Sequence, residues 1–315
     1  MAHYDAETTT NEIIDGVNLE GGLALVTGAS SGLGVETTRA LAAAGCAVVM
    51  AARDRDKLED AAAGVRRAVP GAELEILCLD LADLDSVRAA AAEVRATFSP
   101  LHLLINNAGV MACPLMRTAD GFEMQFGTNH LGHFLFTCLV APALLAGAPA
   151  RVVNLSSAGH RFAPVNFEDP NYREREYDKW QAYGESKTAN VLFTVALDAR
   201  LRERGVRSTA VHPGVIMTQL ARHMDEADLQ SLSERTPAGE PLVFKSVEQG
   251  AATSVWAATA GELADRGGIY LENCQIAGPA VHGGSGGVES YALDDAAAER
   301  LWSLSEELVG ESFRL

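Results

Sequence analysis

The stretch LALVTGASSGLGVETTRAL, residues 23–41, decides how the chain is read. It opens on an apolar run of strand type and closes on a segment of helical type, and glycines 28, 32 and 34 stand directly between the two. Glycine lets the backbone turn sharply and come close to a phosphate, while the first turn of the following helix offers free N–H donors and the positive end of its dipole. The spacing, G-x-x-x-G-x-G, differs from the G-x-G-x-x-G of the usual dinucleotide fingerprint. The order strand, glycines, helix, with Thr27 just ahead, is what points to a cradle for a nucleotide phosphate.

Outward from this junction, short aliphatic runs alternate with longer Ala/Leu/Glu/Arg-rich segments. Strands are expected at 23–28, 47–52, 75–80, 101–108, 150–157, 207–214 and 268–273, and helices at 33–44, 55–68, 84–97, 118–146, 179–203, 247–259 and 295–309. The strand segments are nearly all apolar rather than alternating, as in strands covered on both faces. This order predicts one doubly wound α/β domain over 21–315, a seven-stranded and mostly parallel sheet with helices on both faces. Residues 1–20 read as an N-terminal arm, 158–180 as a charged insertion, 219–244 as a lid or helical excursion and 277–290 as a Gly-rich connection. Irregular segments of that length tend to serve function.

Of the 315 residues, 48% are hydrophobic and 21% charged, and the net charge is −17. That charge argues against nucleic acid or an anionic membrane surface as partner and leaves a small molecule. Cys46, Cys78, Cys113, Cys138 and Cys274 are scattered without a C-x-x-C pair, so neither a disulfide framework nor a zinc site is expected. The first residues lack the basic and apolar parts of a signal peptide, and no run reaches the roughly 18 apolar residues of a membrane span. A reduced, cytoplasmic protein is the expectation.

A series of further motifs follows in order: CLDL (78–81), NNAG (106–109), NHLGHF (129–134), NLSS (154–157), YGESK (183–187) and PGVIMT (213–218). With T-G-x-x-x-G-x-G they resemble the short-chain dehydrogenase/reductases, NAD(P)-dependent enzymes on one Rossmann-type domain, from about residue 20 to the C-terminus. NHLGHF, the long gap between Ser157 and Tyr183, and the ending YLENCQIA…AERLWSLSEELVG look most like the retinol-dehydrogenase and WW-domain-oxidoreductase branch. That branch often has a basic residue where this chain has Val35. The resemblance implies cofactor contacts at Gly28, Ser30, Ser31, Gly32, Leu33, Gly34, Arg53, Asp80, Leu81, Asn107, Ala108, Gly109, Tyr183, Lys187, Pro213, Gly214, Val215 and Thr218. It also implies a homodimer or homotetramer. At the end of the second strand, where NAD sites carry an acid, this chain has Ala52 followed by Arg53, whose guanidinium can grip a 2′-phosphate through two donors. NADP(H) is favoured over NAD(H), with Asp54 alongside working the other way.

Hydride transfer between an alcohol and a nicotinamide moves a proton as well, so a general acid/base must stand beside the reacting oxygen. Tyr183 and Lys187 lie four apart, on one face of a helix. A tyrosine of pKa about 10 needs about 4 kcal/mol of help to ionise near neutrality, which a lysine charge at about 4 Å supplies in an effective dielectric near 20. By resemblance Tyr183 is the acid/base, Lys187 its modulator and a donor to the nicotinamide ribose, Ser157 the binder of the substrate oxygen with Ser156 as the other choice, and Asn129 the holder of a relay water.

His130 and His133 share a helical face, but no carboxylate or cysteine supports them as metal ligands, and no metal is expected. His212 reads as structural, and nothing beside Cys113 would activate it. The expected activity is interconversion of an alcohol and an aldehyde or ketone. A non-catalytic dinucleotide sensor is the alternative, and an epimerase or dehydratase a third. Met111, Leu115, Met116, Phe162, Met217 and Leu220 suggest an apolar substrate pocket.

Overall fold

The computed structural model describes residues 4–216, 228, 243–281, 284 and 286–315. The apolar runs become β1 (Leu23–Thr27), β2 (Ala47–Ala52), β3 (Leu74–Cys78), β4 (Leu103–Asn106), β5 (Ala150–Leu155), β6 (Val206–His212) and β7 (Ile269–Glu272), all parallel, in the order β3-β2-β1-β4-β5-β6-β7. The order reverses between β1 and β4, which opens a crevice at the carboxyl ends of those strands.

An eighth strand departs from the expected seven. Asn273 and Cys274, with φ of 52° and 54°, form a two-residue turn, and β8 (Gln275–Ile276) returns antiparallel along β7. Two left-handed residues in succession are the mark of the hairpin turn that matches strand twist. Asn273 was a usable signal; Cys274 in place of the usual glycine concealed it.

Helices cover both faces. α1 (Thr10–Ile14), α2 (Gly32–Ala43), α3 (Arg55–Ala68) and α7 (Val247–Thr259) close one core, and α4 (Leu84–Thr97), α5 (Met124–Ala146), α6 (Lys179–Leu201) and α8 (Asp295–Val309) the other. Within residues 1–20, α1 carries a Thr9–Glu12 capping box and buries Ile13, and Arg39 of α2 ties it down through Asn11 at 2.8 Å. α5 starts only after Glu123, because Gly121 (φ 84°) turns the chain and the Glu123 carboxylate caps the amides of Gln125 and Phe126. With a mean hydropathy of 1.3, α5 has the length and apolarity of a bilayer-crossing helix, but 78% of that window is buried against the sheet and its neighbours, which makes it a core helix.

α8 lies over α5 and α6. Trp302 stacks on Phe193 (6.1 Å), Arg200 spans the Trp302 ring (4.0 Å) and grips both oxygens of Glu299 at 2.7 Å, and His130 meets Ser305 at 2.7 Å. Through the middle of the sheet runs a buried polar ladder. Asn106 donates to Asn154 (2.8 Å) and Thr137 (2.9 Å), and Asn154 donates to Ser208 (3.1 Å) and Thr194 (2.9 Å), joining β4, β5 and β6 to α5 and α6.

Candidate active site

β1 ends at Thr27 because Gly28, at φ 67°, turns the chain away; a Cβ there would come within 2.9 Å of Ala108 Cα. Gly34, in the first turn of α2, is packed harder still: a Cβ would stand 2.3 Å from the Gly28 carbonyl oxygen. Only bare backbone lets α2 abut the loop, and the result is a helix N-terminus facing the crevice. Ser31, its N-cap residue, makes no side-chain capping bond, so its hydroxyl stands with the free amides as a donor for phosphate oxygens. Thr27 Oγ1 accepts the amides of Asn107 (2.9 Å) and Ala108 (3.0 Å), which fixes the NNAG turn after β4 against the end of β1.

A cavity of about 1280 Å³ follows the carboxyl ends of the strands. One end is made by Arg53, Asp54 and Lys57 after β2 and by Asp80 and Leu81 after β3. The middle is Gly28, Ser30, Ser31, Gly32 and Leu33 facing Asn107, Ala108 and Gly109, and the other end holds Ser157, Tyr183, Lys187, Pro213, Gly214 and Val215. Of the remaining residues expected to hold a cofactor, Gly34 lies one layer back and Thr218 falls outside the described residues, as do Met217, Leu220 and most of the 219–244 excursion. The cavity's volume, its run from β2 and β3 past the glycine loop to Tyr183, and its glycine floor suit an extended dinucleotide.

At the β5 end, Tyr183 is buried with its ring against Gly159, where a Cβ would lie 2.7 Å from Cε1. Burial pushes the phenol up to about 12, and a hydrogen bond with Ser157 works against that rise. Ser157 Oγ also accepts the Gly159 amide at 3.0 Å, whereas Ser156 spends its hydroxyl on the Lys187 carbonyl at 2.9 Å. Of the two serines, Ser157 is thus the one that meets the tyrosine. Burial lowers Lys187 to about 8. Its Nζ donates to the Leu155 carbonyl at 3.0 Å and stands 5.7 Å from the centre of the Tyr183 ring.

Asn129 sits in a π-helical segment, Gly127–Leu131, inside α5. Its side-chain amide is spent on protein: Oδ1 accepts the Val110 amide (2.8 Å), and Nδ2 donates to the Val110 carbonyl (2.9 Å) and Ser186 Oγ (3.0 Å). Its main-chain carbonyl meets His133 Nδ1 at 3.0 Å, while His133 Nε2 meets Thr27 Oγ1 at 2.9 Å. A Cβ on Gly109 would lie 3.2 Å from Asn129 Oδ1 and 3.6 Å from Lys187 Nζ, so the asparagine and the lysine converge behind the NNAG turn.

Two histidines hold the serine's backbone. His160 Nδ1 meets the Ser157 carbonyl at 2.7 Å, and its Nε2 accepts the Glu289 amide at 3.2 Å. His212 Nδ1 accepts the Ala158 amide at 3.2 Å. Residues that the sequence did not point to also line the cavity: Lys57, Met124, Trp180, Arg161, Lys245, Asn273 and Glu289. Lys57, four after Arg53 at the start of α3, had a readable spacing. Met124, Trp180 and Arg161 stand within five residues of Asn129, Tyr183 and Ser157, whereas Lys245, Asn273 and Glu289 come from distant segments. Met111 and Phe162 line the wall as expected; Leu115 and Met116 are instead 46% and 43% exposed and not among the lining residues.

A mostly parallel sheet with this crevice, a glycine cradle and a buried Tyr183–Lys187 pair beside Ser157 define a nucleotide-dependent oxidoreductase architecture. The chain belongs to the short chain dehydrogenase family, whose pattern it matches over residues 22–229. Mouse retinol dehydrogenase 12 is 43% identical over 294 residues, 93% of this chain and 88% of that protein, which sets the chain near the retinol dehydrogenase branch. A crystal structure of an uncharacterised protein from Mycobacterium paratuberculosis superposes with a TM-score of 0.75 at 36% identity, covering 98% of this chain and 100% of that one. A gluconate 5-dehydrogenase from Burkholderia cenocepacia, solved with NADP and tartrate, shares 26% identity and a TM-score of 0.64 over 82% of this chain and 96% of its own.

Proposed function

We propose that the chain is an NADP(H)-dependent oxidoreductase that interconverts an alcohol and an aldehyde or ketone, with Tyr183 as its acid and base. The observation that carries this reading is the convergence of Tyr183, Ser157 and Lys187 at one end of a cavity whose opposite end offers Arg53. Arg53 is exposed and makes no hydrogen bond or ion pair among the described residues, so its guanidinium is available to a 2′-phosphate. The NADP in the gluconate dehydrogenase structure agrees with that preference.

NADPH bound along the cavity supplies the hydride for the carbonyl carbon. A phenol held at about 12 is protonated near neutrality, so the ligand-free site is set for reduction. Tyr183 gives its proton to the oxygen on which negative charge develops, and Ser157 Oγ steadies the same oxygen. Lys187, lowered by burial to about 8, stabilises the phenolate left behind and can return a proton, with the Asn129 carbonyl as the station toward solvent. In the oxidative direction Tyr183 must first ionise. The ammonium of Lys187 and the positive charge of an oxidised ring both favour the phenolate.

Val110, Met111, Met124, Phe162, Trp180 and Val243 wall the substrate end, which suits a lipophilic substrate. The test is a pair of NADPH- and NADH-coupled assays over a panel of aldehydes, ketones and alcohols, run beside Tyr183→Phe. Activity surviving unchanged in that variant would sink the mechanism.

A further inference from the structure

Lys245 is a cation of the cavity that no step above uses. The 243–245 segment runs beside the turn after β6: Val215 bridges Phe244, and the Lys245 amide donates to the Val215 carbonyl at 2.9 Å. The stem of Lys245 lies along Gly214, whose Cβ, if present, would sit 2.7 Å from Cδ and 2.9 Å from Cε. Nζ donates to Asn273 Oδ1 at 2.8 Å, and both residues line the cavity.

The five cations of the cavity lining divide by position. Arg53 and Lys57 stand at the β2 end. Arg161 is spent on the carbonyls of Val281 and Gly284 and on Glu289. Lys187 belongs to the tyrosine. Lys245 is half-buried at the β6 end, its ammonium meets a neutral amide rather than a carboxylate among the described residues, and two of its three donors remain. Burial works against its charge, which Cys274, Asp5 and Glu272 offset only in part and an anion alongside would relieve further. Just beyond it, Gly250 of α7 packs on Leu33 of the glycine loop, where a Cβ would lie 2.9 Å from Leu33 Cδ2. Lys245 thus lines the cavity along Gly214, five residues before the helix turn that packs on the glycine loop.

Resting on the dinucleotide reading above, we propose that Lys245 holds the diphosphate of the cofactor from its nicotinamide side, with Asn273 aiming the ammonium. The N-terminus of α2 and Lys245 then grip the diphosphate from two directions, a point charge complementing a dipole.

Isothermal titration of NADPH, NADH and 2′,5′-ADP into wild type, Lys245→Gln, Lys245→Arg and Arg53→Ala tests this. Lys245→Gln should weaken NADPH and NADH alike by about 10- to 100-fold, the range of a lost charge-assisted hydrogen bond. It should leave 2′,5′-ADP, which lacks the nicotinamide half, within twofold, and Lys245→Arg should recover most of the loss. Arg53→Ala should show the opposite pattern, losing NADPH and 2′,5′-ADP but not NADH. Dinucleotide affinities within twofold of wild type in Lys245→Gln would overturn the proposal, even with a lowered melting temperature, which would mark Lys245 as a structural clip. So would an equal loss for 2′,5′-ADP, or a loss in Lys245→Arg as large as in Lys245→Gln. Wild type binding neither dinucleotide would instead refute the cofactor reading itself, and this proposal with it.

Discussion

Lowering the pH from 7.5 to 5.5 should cost this fold about 6 kcal/mol, through four histidines. His130, His133, His160 and His212 are held neutral by burial, at about 3, 4, 4 and 3. The hydrogen bonds agree: His160 Nε2 and His212 Nδ1 both accept backbone amides, and neither nitrogen can take a proton without losing its partner. In the unfolded chain the same side chains titrate near 6.5. Above that pH their contribution is complete. Below it the unfolded chain binds protons that the folded one refuses, and stability falls by about 1.4 kcal/mol per pH unit for each histidine until the folded value is reached. At pH 5.5 each has removed about 1.4 kcal/mol, and at pH 5 the four together remove about 8, comparable to the whole stability of a typical domain. Glu123, raised by burial, acts in the opposite sense but is one group against four. The assay is urea unfolding at pH 7.5, 6.5 and 5.5, followed by the fluorescence of the buried Trp180, Trp256 and Trp302. His130→Phe provides the control, since His130 lies among Phe126, Phe134 and Phe193 and its Nδ1 has no partner. That variant should lose about a quarter of the acid sensitivity. Stability at pH 5.5 within about 1 kcal/mol of that at pH 7.5 would refute the reasoning.

Other substitutions test the remaining parts. Gly34→Ala should abolish dinucleotide binding and lower stability by about 2 kcal/mol or more, since its Cβ would meet the Gly28 carbonyl at 2.3 Å; calorimetry and melting read both effects. Arg175→Leu should destabilise the fold by about 3–5 kcal/mol in chemical denaturation, because it strands the buried Glu185 carboxylate that Arg175 now grips at 2.6 and 2.5 Å. Ser157→Ala should lower kcat by about 100-fold with little change in cofactor affinity, whereas Ser156→Ala, which loses only a bond to the Lys187 carbonyl, should show mainly a change in melting temperature.

The sheet was legible because its strands are covered on both faces and so read as continuous apolar runs, and the phosphate cradle because strand, glycines and helix are adjacent in sequence. Boundaries were less so. β4 stops at Asn106 and β5 at Leu155, short of the expected ends, because NNAG and the serines after Leu155 leave the sheet to build the site. The four-residue spacing of Tyr183 and Lys187 placed both on one helix, but it does not show that Lys187 Nζ also donates to the Leu155 carbonyl. Lys245 and Asn273 reach the cavity through tertiary contacts across tens of residues, which no local pattern carries.

The ladder from Asn106 through Asn154 to Ser208 has a consequence for alignment. Asn106 faces Asn154 across β4 and β5; sliding one strand by a single residue would set it against Val153 or Leu155 and leave buried amides unsatisfied, at about 1–3 kcal/mol each. Gly109 and Ser157 each follow three residues after those asparagines, in the loops that leave the two strands. The amides therefore act as a vernier: by rejecting misregistered sheets as the chain folds, they set the height at which the serine meets the glycine turn.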